Sequence, residues 1–126
     1  MPTVYVTQIP IRKDKQTGDY VPSLNISPAS EFGAIEILMP SQVGYIHIPT
    51  LFTTLREKLS SYNAENGDVL LPLGDPGIIA ASTAILAIEY GNFSILKWER
   101  NLGRYVSTHF DYNLYMENKS WASKYE

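Results

Sequence analysis

Val69-Leu70-Leu71-Pro72-Leu73-Gly74-Asp75-Pro76-Gly77 runs straight into Ile78-Ile79-Ala80-Ala81-Ser82-Thr83-Ala84-Ile85-Leu86-Ala87-Ile88-Glu89-Tyr90, and Gly91-Asn92 then leads to Phe93-Ser94-Ile95-Leu96-Lys97-Trp98. The first apolar run is short and bounded by turn residues, the pattern of a strand covered on both faces. Pro72 lacks a ladder donor, so it belongs at the strand's end or at a non-bonding position. Asp75-Pro76-Gly77 reads as a cap and first turn, and the segment from Ile78 to Tyr90 is apolar or small all round, as in a helix covered on most sides. Gly91-Asn92 supplies the stop, and the β-branched and aromatic residues that follow read as a second strand. Residues 69–98 therefore form a strand–helix–strand unit, which predicts an α/β fold.

Outward from this unit, Thr3 to Ile9 alternates with period two and predicts a strand. Arg12 to Asp19 is charged, contains Gly18 and shows no apolar period, so a solvated loop is expected. Ser27-Pro28-Ala29-Ser30-Glu31-Phe32-Gly33 predicts one helical turn capped by the Ser27 hydroxyl, and Gly33 to Met39 a strand ended by Pro40. Leu51, Phe52, Leu55, Leu59 and Tyr62 form the apolar stripe of an amphipathic helix. A turn at Arg100-Asn101-Leu102-Gly103 joins the strand ending at Trp98 to another from Tyr105 to Asp111. The expected architecture is a single-domain α/β sandwich around a mixed sheet of about five strands with two main helices, in the order β-β-α-β-α-β-β. Residues 1–112 form the expected domain, and 113–126 a polar-aromatic tail that either docks or stays loose.

The chain has 126 residues, 44% hydrophobic and 18% charged, which suits one folded domain and not a disordered segment. Ten basic and thirteen acidic residues give a net charge of −3 without like-charge runs, so there is no footprint for duplex nucleic acid. Cysteine is absent, excluding disulfides and thiolate metal sites. No basic and apolar leader opens the sequence, and the apolar stretch from Ile78 to Ile88 is too short to span a bilayer, so a membrane is not an expected partner.

Asp75 sits where a strand becomes a helix, a place where main-chain amides and the helix dipole attract anions. Capping alone accounts for Asp75, Pro76 and Gly77 in that order, and a carboxylate there would repel phosphate, so the cap is the expected role. The same turn is still where a ligand of an open α/β sheet would collect, with Gly74, Asp75, Gly77 and Ser82 meeting Asn25, Ser27 or Gln8. No nucleotide fingerprint, nucleophile elbow or metal-binding spacing is present. His47 and His109 lie far apart in sequence and are expected to be structural; no catalytic residue, cofactor or metal is expected. Around the last turn, Trp98 is expected in the core, with Lys97, Glu99, Arg100 and Arg104 pairing across the strands. Tyr112 at the domain's end and the tail's Tyr115, Trp121 and Tyr125 have the amphipathic character of interface residues.

Asn25-x-Ser27-Pro28-Ala29-x-x-Phe32-Gly33-x-Ile35, then Leu70-Leu71-x-x-Gly74-Asp75-Pro76, then Leu96-Lys97-Trp98-x-Arg100 with Tyr105, resembles a group of small proteins encoded by tailed bacteriophages and prophages. The succession covers residues 3–112. The resemblance implies a phage origin and the cytoplasm of the bacterial host, and brings no activity or catalytic residues with it. The expected function is that of a non-enzymatic phage accessory protein binding a host or phage protein, in host takeover or against host defence. A binder of a small anionic ligand or nucleotide at the Gly74–Gly77 turn, acting as a sponge, is the alternative; a minor virion component is a third. Oligomeric state is left open.

Overall fold

The stretch Val4-Tyr5-Val6-Thr7-Gln8 is buried residue for residue, so its strand has to lie inside the sheet. The computed structural model, which describes residues 1–41 and 47–117, places it there. Strand β1 (Thr3–Gln8) is followed by two short strands, β2 (Ile11–Lys13) and β3 (Tyr20–Pro22), a 3-10 helix (Ser27–Phe32) and β4 (Ala34–Met39). Helix α1 (Ile48–Lys58), a 3-10 turn (Ala64–Asn66), β5 (Val69–Leu71), helix α2 (Pro76–Ile85), a π-helical turn (Leu86–Tyr90), β6 (Asn92–Glu99), β7 (Arg104–Asp111) and α3 (Tyr112–Glu117) complete the chain.

The main sheet has the order β4-β1-β5-β6-β7, with β1 parallel to both β4 and β5, β5 parallel to β6, and β7 antiparallel to β6. The mixed five-stranded sheet and two main helices are those the sequence predicts. From β4 to β5 and from β5 to β6 the chain steps the same way across the sheet. Right-handed crossovers then put α1 and α2 on one face, where they pack on each other. The step from β1 to β4 goes the other way, which sends the 3-10 helix to the opposite face.

The two faces bury different residue sets. Under the helices lie Tyr5, Leu38, Leu70 and Phe93 with Leu51, Leu55, Leu59, Ile78 and Ile85. Under the 3-10 helix lie Val4, Val6, Val69, Leu71, Leu96 and Tyr105 with Ala29. Strand β4 is an edge strand, and on it Leu38 is fully buried while Ile37 is 43% exposed.

Several local expectations are corrected. The charged segment after Pro10 is no featureless loop, because Ile11, Arg12 and Lys13 pair antiparallel with Pro22, Val21 and Tyr20. The 3-10 helix is entered through Asn25, whose Oδ1 accepts from the Ser27 amide at 3.0 Å, while the Ser27 hydroxyl caps nothing. The helix expected to run to Tyr90 widens into a π turn after Ile85 and leaves Ile88 74% exposed. Within the aromatic tail, Tyr112–Glu117 is helical; Trp121 and Tyr125 lie outside the described residues.

A buried carboxylate and a tyrosine cluster close the amino-terminal end of β1. Asp68, 4% exposed, accepts from the Thr3 amide at 2.8 Å and the Asn63 amide at 2.9 Å, so its charge is satisfied by main-chain donors. Tyr62 stacks at a tilt between Tyr5 and Tyr90, at 5.9 and 5.4 Å. Its hydroxyl donates to the Asp68 carbonyl and accepts from the Ser94 amide.

Burial raises the hydroxyl pKa of Tyr5, Tyr62 and Tyr90 above the ordinary 10.0, with nearby Asp68 adding to the rise at Tyr5 and Tyr62. A raised folded-state value means that the unfolded chain ionises first. Stability is therefore full below pH 10.0 and lost as pH climbs through the folded-state values. Urea unfolding between about pH 9 and about pH 11 should show a falling midpoint, with a shallower fall in Tyr62→Phe. An equal slope in that variant would remove Tyr62 from the account.

Candidate functional site

In a sheet of this strand order, the connections step to opposite sides from the boundary between the parallel strands β1 and β5, and ligands of open α/β sheets collect at the carboxyl ends of those strands. Here that crevice is filled by the protein itself. Gln8, at the end of β1, accepts from the Asp75 amide through Oε1 at 2.8 Å and donates through Nε2 to the Pro40 carbonyl at 2.9 Å. Thr7 Oγ1 accepts from the Leu73 amide at 2.7 Å and donates back to the Leu73 carbonyl. Gly74 has φ +84°, and a Cβ there would lie 2.5 Å from Gln8 Oε1, so only glycine lets the chain pass this close.

The residues expected to gather round a ligand are thereby separated into structural tasks. Asp75 is the N-cap of α2, its Oδ2 accepting from the Ile78 amide at 3.1 Å, with Pro76 in the first turn. The carboxylate thus occupies the amide an anion would use. Gly77 lies beneath it, and a Cβ there would be 2.9 Å from Asp75 Oδ2. Ser82 is fully buried in α2, and its Oγ has no hydrogen-bond partner among the described residues. Asn25 and Ser27 belong to the opposite face and form the entry to the 3-10 helix.

The histidines are likewise apart. His47 heads α1 and shares a 2.9 Å hydrogen bond with Thr50 Oγ1. His109 is on β7, 2.9 Å from Ser94 Oγ, in register with that serine. Among the described residues no three of His, Cys, Asp and Glu are grouped to hold a metal ion.

One concave site does open at the carboxyl ends of the strands, displaced by one strand. A cavity of about 400 Å³ lies between β5 and β6 on the 3-10-helix face. Leu71, Leu96 and Tyr105 form its buried wall, Pro72 and Leu73 one side, and Leu24 and Asn25 the other. Trp98 completes it, edge-on to Tyr105 with ring centroids 5.0 Å apart. Trp98 is 45% exposed, not in the core as the sequence suggests, because it projects beyond the end of β5. The cross-strand charge pairs are not made either: Lys97 pairs with Glu99 at 3.5 Å, and Arg100 and Arg104 have no ion pair among the described residues.

Tyr105 is 6% exposed, its pKa is raised by burial, and its hydroxyl has no hydrogen-bond partner among the described residues. Of the sequence-derived set only Asn25 borders this cavity. A second, shallower groove of about 450 Å³ has Phe93 and Phe110 at its base and Tyr112 and Tyr115 on its rim. That is where two of the expected interface tyrosines stand.

Two substitutions test the structural assignments. Asp75→Asn should unfold within a few tenths of a kcal/mol of the parent, whereas Asp75→Ala should lose about 1 kcal/mol in chemical denaturation. Ser82→Ala removes an unpaired buried hydroxyl and improves helix propensity, so Tm should be unchanged or higher. A clear fall in Tm would show that the hydroxyl has a partner.

The model of the family described as Phage Pam3 gp32-like protein matches residues 2–112, every element from β1 to β7. No curated protein and no solved structure matches the chain. Among the described residues no helix is long and apolar enough to cross a membrane. With nearly its whole length matched, the chain belongs to the Phage Pam3 gp32-like protein family.

Proposed function

We propose that this phage protein works by binding and not by catalysis, and that its partner is a protein of the phage or of the host, met in the host cytoplasm. The observation that carries this reading is the cavity beside Trp98, apolar, open at the carboxyl end of the sheet and bordered by exposed Leu24 and Trp98. Half-exposed tryptophan over a preformed apolar recess is the arrangement of a binding hot spot. The polar groups near it, Asn25, Lys97 and the Tyr105 hydroxyl, supply direction but no nucleophile with an adjacent base. A small anion at the Gly74–Gly77 turn gains no support, since the Asp75 amide already donates to Gln8 and the Asp75 carboxylate itself stands at the head of α2 and takes the Ile78 amide.

The test is an aromatic photo-crosslinking residue, benzoylphenylalanine, which keeps a large apolar ring at position 98, in phage-infected cells, with position 88 on the helical face as control. The expected result is a discrete adduct with a second protein from position 98 only, competed away by excess unlabelled parent but not by Trp98→Ala. Adducts of equal yield from both positions, or none from position 98, would overturn the reading. An adduct found only in purified particles would assign the partner to the virion.

A further inference from the structure

The cavity is more than an apolar recess, because four consecutive residues of one strand line it. Ile95, Leu96, Lys97 and Trp98 all border it although successive side chains of a strand point to opposite faces. What the four share on one side is the backbone edge of β6. That edge is open for a definable reason. The β5–β6 ladder has a single bridge, Leu70 to Ile95, whereas β6 continues to Glu99. Pro72 has no N–H to offer, and the Leu73 amide is taken by Thr7 Oγ1, so β5 cannot extend the ladder. The loop at Leu24 and Asn25 does not fill the gap: no main-chain bond joins it to β6 among the described residues.

We infer that this slot takes an extended peptide segment of the partner, which adds a short strand beside β6 and seats a large apolar side chain against Leu71, Leu96, Tyr105 and Trp98. The inference rests on the protein-binding reading above and names the partner's chemistry. An extended segment is required because an open strand edge offers alternating donors and acceptors that a helix, with its own groups already paired, cannot use. Charge gives the flanking residues. At the end of the β6–β7 hairpin, Lys97 is shared with Glu99 while Arg100 and Arg104 are unpaired among the described residues, so the mouth is basic on a chain of net charge −3. The fitting segment alternates bulky apolar residues with Asp or Glu. The unpaired Tyr105 hydroxyl adds one donor at the base of the slot.

The experiment uses the full chain, isotope-labelled, titrated with capped hexapeptide mixtures. One mixture alternates Leu or Phe with Asp or Glu, a second replaces the acids by Lys, and a third repeats the first with N-methylated amides. The acidic mixture should shift the amide signals of Leu96, Lys97 and Trp98 and slow exchange of at least one of them about tenfold or more. The Lys mixture should bind at least about tenfold more weakly, and the N-methylated mixture should not bind. The double variant Arg100→Glu and Arg104→Glu, at exposed turn and strand-end positions, should reverse the preference for acid over Lys. Equal shifts from the N-methylated mixture, or no shift at these residues from any mixture, would overturn the inference. If the crosslink from position 98 nevertheless persists, the protein-binding reading stands and only the extended-peptide assignment falls.

Discussion

One side-chain amide holds the carboxyl end of this sheet together. Gln8 connects β1 to the residue after β4 through Pro40 and to the start of α2 through Asp75, at 2.9 and 2.8 Å. At 7% exposure its groups have no solvent to fall back on, so losing the side chain would leave the Asp75 amide without its partner at a cost of about 1–3 kcal/mol. Thr7, next to it, performs the parallel task for Leu73. Together the two residues pull the chain out of β5 immediately after Leu71 and aim it into α2, where Asp75 caps and Pro76 starts the helix. The close passage of Gly74 over Gln8 follows from the same constraint.

This constraint relocates the functional surface. Where a doubly wound sheet ordinarily leaves a crevice, polar side chains of the protein fill it and satisfy its main-chain groups. The opening appears one strand further along, because a β5 bent away by Thr7 and ended by Pro72 leaves β6 without a neighbour beyond Ile95. The faces contribute unequally. Two packed helices seal one side, while on the other a single 3-10 helix packs on the sheet and leaves Leu24, Asn25 and Trp98 to frame a cavity.

The fold was legible wherever a local period or cap decides it. The strand–helix–strand unit, the amphipathic stripe of α1 and the last hairpin each rest on residues close in sequence, and the Asp75 cap is a three-residue event. The β2–β3 pair was not legible, since strands of three residues containing Arg12, Lys13 and Pro22 carry no period. The π turn at Leu86–Tyr90 has no compositional mark. The candidate site was the least legible of all. It depends on hydrogen bonds between residues 66 positions apart, Thr7 to Leu73, and on the register that ends β5 before β6. Pro72 was the visible sign, a proline at the end of an apolar strand, but its consequence for β6 emerges only once the strands are neighbours.

Trp98 departs from its expected place in the core for a related reason. Alternation along β6 assigns it to the face of Leu96, which is correct, and burial would follow if the sheet continued beside it. Register decides otherwise: Trp98 is paired with Tyr105 on one side and has no strand on the other. An aromatic side chain packed edge-on against its cross-strand partner, yet 45% exposed, keeps apolar surface available to a partner. Burial of Tyr105 beneath it fixes the orientation. The gap that Pro72 and Thr7 leave in the ladder thus brings a stretch of β6 with no β5 neighbour and a half-exposed aromatic surface to one place, the combination that the proposed strand addition would use.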